Sequence, residues 1–281
     1  MDSIISDYSD GIPTVSSCLI DPHGRIVAER DAEKVFYSAS TIKLGVLIAA
    51  MQLVDSGQLN LDQPMVSTQT FVSGIEGAGP YTFDPEEVDP GMAPLGETMP
   101  LREVLKRMIV VSSNEATNMV AQLIGIETVT AAFASCGTRN TSMGRLFGDY
   151  AALNEGLTIT TTALDLARTM HAVTSGRAAG PESTRLMIEF LEQQDDRVIG
   201  AVVAELQPGA RWGSKSGSVT GIYHDVAFIV RGRDAADAHS LAICTRAFHE
   251  PQGRESIQAV ASGMLQVTDV LRSTARRPTP L

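Results

Sequence analysis

The stretch from Tyr37 to Gly57 limits the fold more than any other part of the chain. Apolar residues recur at helical spacing through Leu44, Leu47, Ile48, Met51 and Val54, and the pattern stops at Gly57, a residue suited to ending a helix. Its densest part, Leu44 to Val54, is too short to cross a bilayer and is interrupted by Gln52. Such a helix is expected at the centre of a packed domain. With 281 residues, 43% of them hydrophobic, the chain can build one large core or two intimately packed ones.

Ser40 and Lys43 stand at the start of this helix, spaced so that both side chains share one face. A serine hydroxyl is a poor nucleophile until a neighbouring base takes its proton. A lysine can be that base where burial or a second cation lowers its pKa. Alone, the pair fits equally an N-cap serine followed by a solvated lysine, so the rest of the chain must decide.

Residues 14 to 20 and 24 to 29 read as two antiparallel strands joined at Asp21-Pro22-His23-Gly24. From Ser67 to Pro100 glycine and proline alternate with acidic residues, which predicts a long loop or insertion. Helical patterns follow over Leu101 to Val111, Glu115 to Ile124, a segment capped by Thr160-Thr161-Thr162, and Arg185 to Glu192. After Pro208-Gly209 come strands at 210–214, 223–231 and 240–245, then a helix over 255–272 and a frayed tail at 276–281. This order predicts an α/β (α+β) protein: an antiparallel sheet from both chain ends, 1–45 and 201–281, with a helical domain, 46–200, inserted between them.

The net charge of −11 and the lack of a basic tract outside Arg276-Arg277 argue against a nucleic-acid partner. No transmembrane helix or secretory signal is apparent, so no membrane partner and a cytoplasmic location are expected. Cys18, Cys136 and Cys244 suit free buried thiols, and the five histidines form no metal-ligand pattern, so neither a metal nor a cofactor is expected.

Three short stretches occur in order: Ser40-Thr41-Ile42-Lys43, Ser112-Ser113-Asn114 and Lys215-Ser216-Gly217. They resemble the S-x-x-K, S-D-N and K-T-G set of class A β-lactamases and penicillin-binding proteins, and so does their setting at a helix start, an interhelical turn and a strand. In that reading Ser40 attacks an acyl carbon while Lys43 takes its proton or tunes the site through its charge. Ser112 relays a proton between Lys215 and the leaving group, and Lys215 adds a positive field that attracts a substrate carboxylate. Asn114 holds a substrate amide, and Ser216, Gly217 and Ser218 form the substrate-binding edge. The resemblance further implies a β-lactamase/transpeptidase-like fold and an oxyanion hole from the backbone N–H groups of Ser40 and Ser218.

Two departures concern residue types: Ser113 stands where the family usually has aspartate, and Ser216 replaces threonine. A third concerns the loop between Gly144 and Thr160, where class A β-lactamases carry a glutamate that activates the deacylating water. By local alignment its place falls at Tyr150, which leaves Asp149 as the neighbouring candidate base. The chain is therefore expected to be a serine hydrolase acting on a small-molecule amide or ester, with a β-lactam, a peptide and a metabolite all open as substrates. The alternative is a penicillin-binding or sensor-like module that acylates on Ser40 without efficient turnover. A Ser-His-Asp hydrolase is set aside because no G-x-S-x-G elbow occurs, and a phosphate loop because 213–217 fits neither glycine-rich pattern.

Overall fold

The computed structural model describes residues 3–275; the tail at 276–281 lies outside them. A short hairpin, β1 (Ile5–Ser6) and β2 (Ser9–Asp10), precedes β3 (Thr14–Ile20) and β4 (Ile26–Arg30). Asp21 fixes the turn between β3 and β4, its Oδ1 accepting from the N–H groups of His23 and Arg25, each at 2.9 Å. β5 (Phe36–Tyr37) leads into a 3₁₀ turn, Ala39–Ile42, and then α1 (Lys43–Asp55). The α-helix thus begins at Lys43 rather than Ser40. The Thr41 hydroxyl bonds to both the carbonyl and the hydroxyl of Ser38, each at 2.7 Å, which holds the tighter turn.

The stretch from 67 to 100 is more ordered than the loop expected. β6 (Pro64–Val66) pairs with β9 (Thr98–Pro100), and β7 (Thr70–Val72) pairs with β8 (Pro80–Thr82). Phe71, Tyr81 and Phe83 meet at ring-centroid distances of 5.4 to 6.4 Å and pin this unit to the main core. Strands of three residues are too short for alternation to show in a sequence.

Next come α2 (Leu101–Val110), α3 (Asn114–Ile124), α4 (Ile126–Ser135), β10 (Ser142–Met143), α5 (Tyr150–Asn154) and β11 (Ile159–Thr161). α6 (Ala163–Thr174) is capped by Thr162, whose hydroxyl accepts from the Asp165 N–H at 3.0 Å. α7 (Pro181–Glu192) starts earlier than expected, with Pro181 in its first turn, and α8 (Val198–Leu206) follows. α4 and α8 are additions to the sequence reading. Both are rich in β-branched residues, such as Val129, Val198, Ile199, Val202 and Val203, whose helix propensity is low; burial of those side chains overrides it. The chain ends in β12 (Arg211–Val219), β13 (Ile222–Val230), β14 (His239–Arg246) and α9 (Glu250–Ala275), the last beginning five residues before its expected start.

The main sheet has the order β12-β13-β14-β3-β4, antiparallel throughout, so strands from both ends of the chain meet at the β14–β3 pair. Every residue of β13 is buried because the sheet is covered on both faces. Val198, Ile199, Val203, Ile257 and Ala261 of α8 and α9 pack on one side. The other side shares a larger core with α1, in which Lys43 to Met51 are buried on every side of the helix. Gly45 permits that depth: a Cβ there would lie 2.0 Å from the Phe133 ring of α4. No helix among the described residues is long and apolar enough to cross a membrane.

Candidate active site

Ser40 sits half-buried in the 3₁₀ turn, immediately after Ala39, whose φ of +47° is rare for a residue with a side chain. At the first residue of α1, Lys43 is fully buried. Its Nζ donates to the Ser112 carbonyl at 2.5 Å, to Asn114 Oδ1 at 2.8 Å and to Ser112 Oγ at 3.2 Å. Burial, followed by the charge of Lys215, holds the Lys43 ammonium well below its ordinary pKa, while Glu115 opposes the shift. An ammonium serving three acceptors has no lone pair to offer. A neutral amine keeps two of those bonds and gains one lone pair, which is what a base for Ser40 requires.

Ser112 lies in the turn between α2 and α3 with φ of +61°, a conformation that brings its carbonyl and hydroxyl to one cation. The neighbouring Ser113 caps α3, its Oγ accepting from the Ala116 N–H at 3.1 Å. The serine that replaces the family's aspartate therefore keeps an oxygen able to cap a helix. Lys215, on β12, is also fully buried and donates to Ser112 Oγ at 3.1 Å and to the Ser216 carbonyl at 2.8 Å. Burial pushes it down to about 8, against the pull of Asp225 and Asp196. One hydroxyl thus bridges two buried amines.

β12 approaches the Ser40 turn closely. A Cβ on Gly217 would stand 2.7 Å from the Ser40 nitrogen and 2.8 Å from that of Thr41. Ser216, on the opposite face of the strand, turns its hydroxyl to Gln194, accepting from Nε2 at 2.8 Å; Gln194 Oε1 in turn accepts from Ser214 Oγ and the Ser216 N–H. Gln194 is a support that the sequence reading missed.

A cavity of about 140 Å³ opens beside Ser40, lined also by Asn114 and Ser218 among the expected residues. Its remaining wall was not anticipated: Tyr8 from the β1–β2 turn, Tyr37, Phe83 and Glu87 from the 67–100 unit, and Arg145, Phe147 and Tyr150 from the segment before and within α5. Arg145 and Tyr150 lie in the stretch already singled out, whereas Tyr8 and Glu87 reach the site only through tertiary packing.

Asp149 is placed otherwise than a water-activating base requires. It is buried outside the cavity lining, and its Oδ1 caps α5 by accepting from the Ala152 N–H at 3.0 Å. The same oxygen accepts from Ser73 Oγ at 2.8 Å, and Oδ2 accepts from the Gly74 N–H at 2.9 Å. The side chain that neighbours the expected glutamate position is a strut between α5 and the 67–100 unit. Tyr150, at that position, is exposed and lines the cavity.

His224 is a perturbed group with a structural place: it is buried between the Tyr37 and Tyr223 carbonyls, and burial pushes it down to about 4. The three cysteines are free and buried. Among the described residues, no group of three or more His, Cys, Asp or Glu is arranged to hold a metal ion.

Residues 2–268 match the model of a family described as the beta-lactamase enzyme family. A beta-lactamase of Streptomyces albus G is 29% identical over 170 residues, which cover 60% of this chain and 52% of that one. The chain thus spans about half the length of the curated relative it matches. The crystal structure of a beta-lactamase from Sphaerobacter thermophilus DSM 20745 is similar over 92% of both chains, with 28% identity and a TM-score of 0.76. A point mutant of PBP-A, solved as an acyl-enzyme complex with penicillin G, is similar over 92% of this chain and 90% of its own, with 22% identity and a TM-score of 0.73. The antiparallel sheet with flanking helices expected above is the fold of these structures.

Proposed function

Because the chain belongs to the beta-lactamase enzyme family, we propose that it is a serine hydrolase that forms an acyl-enzyme on Ser40 from a small amide or ester. The observation that supports this most directly is Ser112 Oγ lying 3.2 Å from Lys43 Nζ and 3.1 Å from Nζ of Lys215, which is on the strand whose Gly217 packs against the Ser40 backbone. Neutral Lys43 takes the Ser40 proton as the oxygen attacks the acyl carbon. The N–H groups of Ser40 and Ser218 receive the developing oxyanion. Ser112 passes a proton from the two-lysine network to the departing nitrogen or oxygen, and the positive charge of Lys215 draws in a substrate carboxylate. Asn114, its Oδ1 already accepting from Lys43, has its Nδ2 left to hold a substrate carbonyl.

Release of the acyl group requires a base for water. Glu87 is the acidic residue that lines the Ser40 cavity, so it takes the role that Asp149 is not placed to fill. The second reading, a module that acylates and stays acylated, draws its support from Tyr150, which stands at the expected glutamate position. Intact-mass spectrometry after mixing with penicillin G or small activated esters separates the two readings. The hydrolase gives a transient adduct with released acid, and the sensor gives a lasting adduct. Absence of an adduct with every donor, or an adduct that survives Ser40→Ala, would overturn the Ser40 assignment.

A further inference from the structure

The wall of the cavity contributed by Tyr8, Tyr37 and Arg145 carries an unbalanced charge. Arg145 is 4% exposed, and no carboxylate among the described residues lies within 4.0 Å of its guanidinium. Its Nη1 donates to the Leu146 carbonyl at 3.0 Å, and its Nη2 reaches Tyr8 Oη at 3.2 Å and Tyr37 Oη at 3.4 Å. The last two are long bonds to neutral oxygens, and Nε has no hydrogen-bond partner. A buried cation is ordinarily paired, because desolvation penalises a lone one heavily. Stacking of the guanidinium over the Tyr37 ring, 5.8 Å from its centroid, relieves part of that penalty.

The hydroxyls sharpen the imbalance. Tyr8 and Tyr37 stack at 4.0 Å between centroids, and the hydroxyl oxygen of each accepts from Arg145 Nη2. Burial pushes the Tyr37 phenol up to about 12, so it keeps its proton. Both oxygens accept from Arg145, which leaves their O–H hydrogens to point to a ligand's acceptor. The cluster therefore offers donors and positive charge and lacks a negative acceptor. Glu87 shares the cavity but is exposed on the 67–100 unit, where water screens its charge.

We infer that Arg145, Tyr8 and Tyr37 form a subsite for a carboxylate carried at the far end of the substrate's acyl chain. This rests on the Ser40 acyl-enzyme reading for the direction of the chain, while the subsite itself is a matter of binding. It makes the preferred donors short ω-carboxyacyl esters or amides, such as succinyl derivatives. The cavity of about 140 Å³ suits that size and is smaller than the roughly 300 Å³ at which sites for drug-sized ligands begin. Tyr8 is a specificity residue supplied by the N-terminal hairpin, which Ser6 Oγ ties to the Thr220 carbonyl at 2.9 Å.

Two measurements decide this. Acylation of the full chain by 4-nitrophenyl hydrogen succinate is compared with that by 4-nitrophenyl butyrate, and the carboxylate ester should be faster by about 10- to 100-fold, the range for a charge-assisted hydrogen bond. That ratio should fall about 10-fold or more in Arg145→Gln and severalfold in Tyr8→Phe, with Arg145→Lys intermediate. A wild-type ratio near one, or a ratio unchanged in Tyr8→Phe, overturns the subsite; the Tyr8 variant carries the test if Arg145→Gln fails to fold. In Ser40→Ala, which cannot acylate, binding of monomethyl succinate against dimethyl succinate is followed by thermal shift and NMR. Monoester binding that Tyr8→Phe weakens, without any acylation of the native chain, would sink the Ser40 reading and leave the subsite standing. Equal binding of the two esters sinks the subsite alone.

Discussion

Replacing Gly217 by alanine tests how the reacting centre is framed. The added Cβ would sit 2.7 Å from the Ser40 nitrogen and 2.8 Å from the Thr41 nitrogen, the closer contact falling 0.7 Å short of the 3.4 Å at which ordinary contact begins. Both obstructing atoms are backbone, so no side chain can swing aside. β12 cannot easily retreat, because its nine residues are paired in register with β13, from Arg211–Val230 to Val219–Ile222. Either the Ser40 turn or the strand must shift by several tenths of an ångström. Overpacking of this kind costs about 1 to 3 kcal/mol, which lowers Tm by roughly 2 to 4 °C per kcal/mol in a chain of this size. The kinetic effect is larger in proportion, since a misplacement of about 1 Å at a reacting centre slows chemistry about 100-fold. Gly217→Ala should therefore acylate at least about 10-fold more slowly with penicillin G or a 4-nitrophenyl ester. Gly263→Ala is the control, because its Cβ meets nothing within 4 Å on α9; it should acylate as the native chain does and melt no lower. Stopped-flow release of nitrophenolate and a thermal melt suffice. A Gly217→Ala protein with native Tm and an acylation rate within threefold of native would refute the close approach of β12 to Ser40.

The two lysines set a pH signature. The acylation rate should rise with pH as Lys43 loses its proton, then fall near pH 8 as Lys215 loses its charge. In Lys215→Ala the falling limb should vanish and the rising limb move to higher pH, because a neighbouring positive charge is gone. Ser112→Ala should slow acylation by about 100- to 10,000-fold at little change in Tm, read by the same burst assay. Glu87→Gln should lengthen the lifetime of the acyl adduct in intact-mass spectra, and an unchanged lifetime would remove Glu87 as the base. Asp149→Ala removes three hydrogen bonds, including the α5 cap, and should destabilise by about 1 to 3 kcal/mol while raising hydrogen exchange around Ser73 and Gly74. For His224, folding favours the neutral ring, so its contribution to stability is present above pH 6.5 and is lost as pH falls toward 4. The Tm difference between native protein and His224→Gln should narrow over that interval.

The chemistry was legible where it demands particular residue types at short spacing. Ser40 with Lys43, Ser112 with Asn114, and Lys215 with Gly217 each occupy a few consecutive positions, and the structure brings these pieces together. What stayed hidden depends on side-chain direction or on distant packing. Asp149 adjoins the expected base position in sequence, yet its carboxylate turns to cap α5 and hold Ser73. Tyr8 and Glu87 come from separate units whose strands or turns span two or three residues, too few to give a periodic signal. α4 and α8 escaped because their β-branched residues read as poor helix formers until neighbours bury them.

The β14–β3 pair, residues 240–246 against 14–20, carries a consequence for biosynthesis. Contacts this far apart in the chain form slowly, and here they cannot form at all until β14 has left the ribosome. Until then α1, buried on every side in the finished core, lacks much of its cover, and the strand that bears Lys215 has no complete sheet to hold it against Ser40. A nascent chain is thus exposed to aggregation until the sheet closes. On the proposed reading, the ability to take an acyl group marks the moment at which β3 and β14 have found each other.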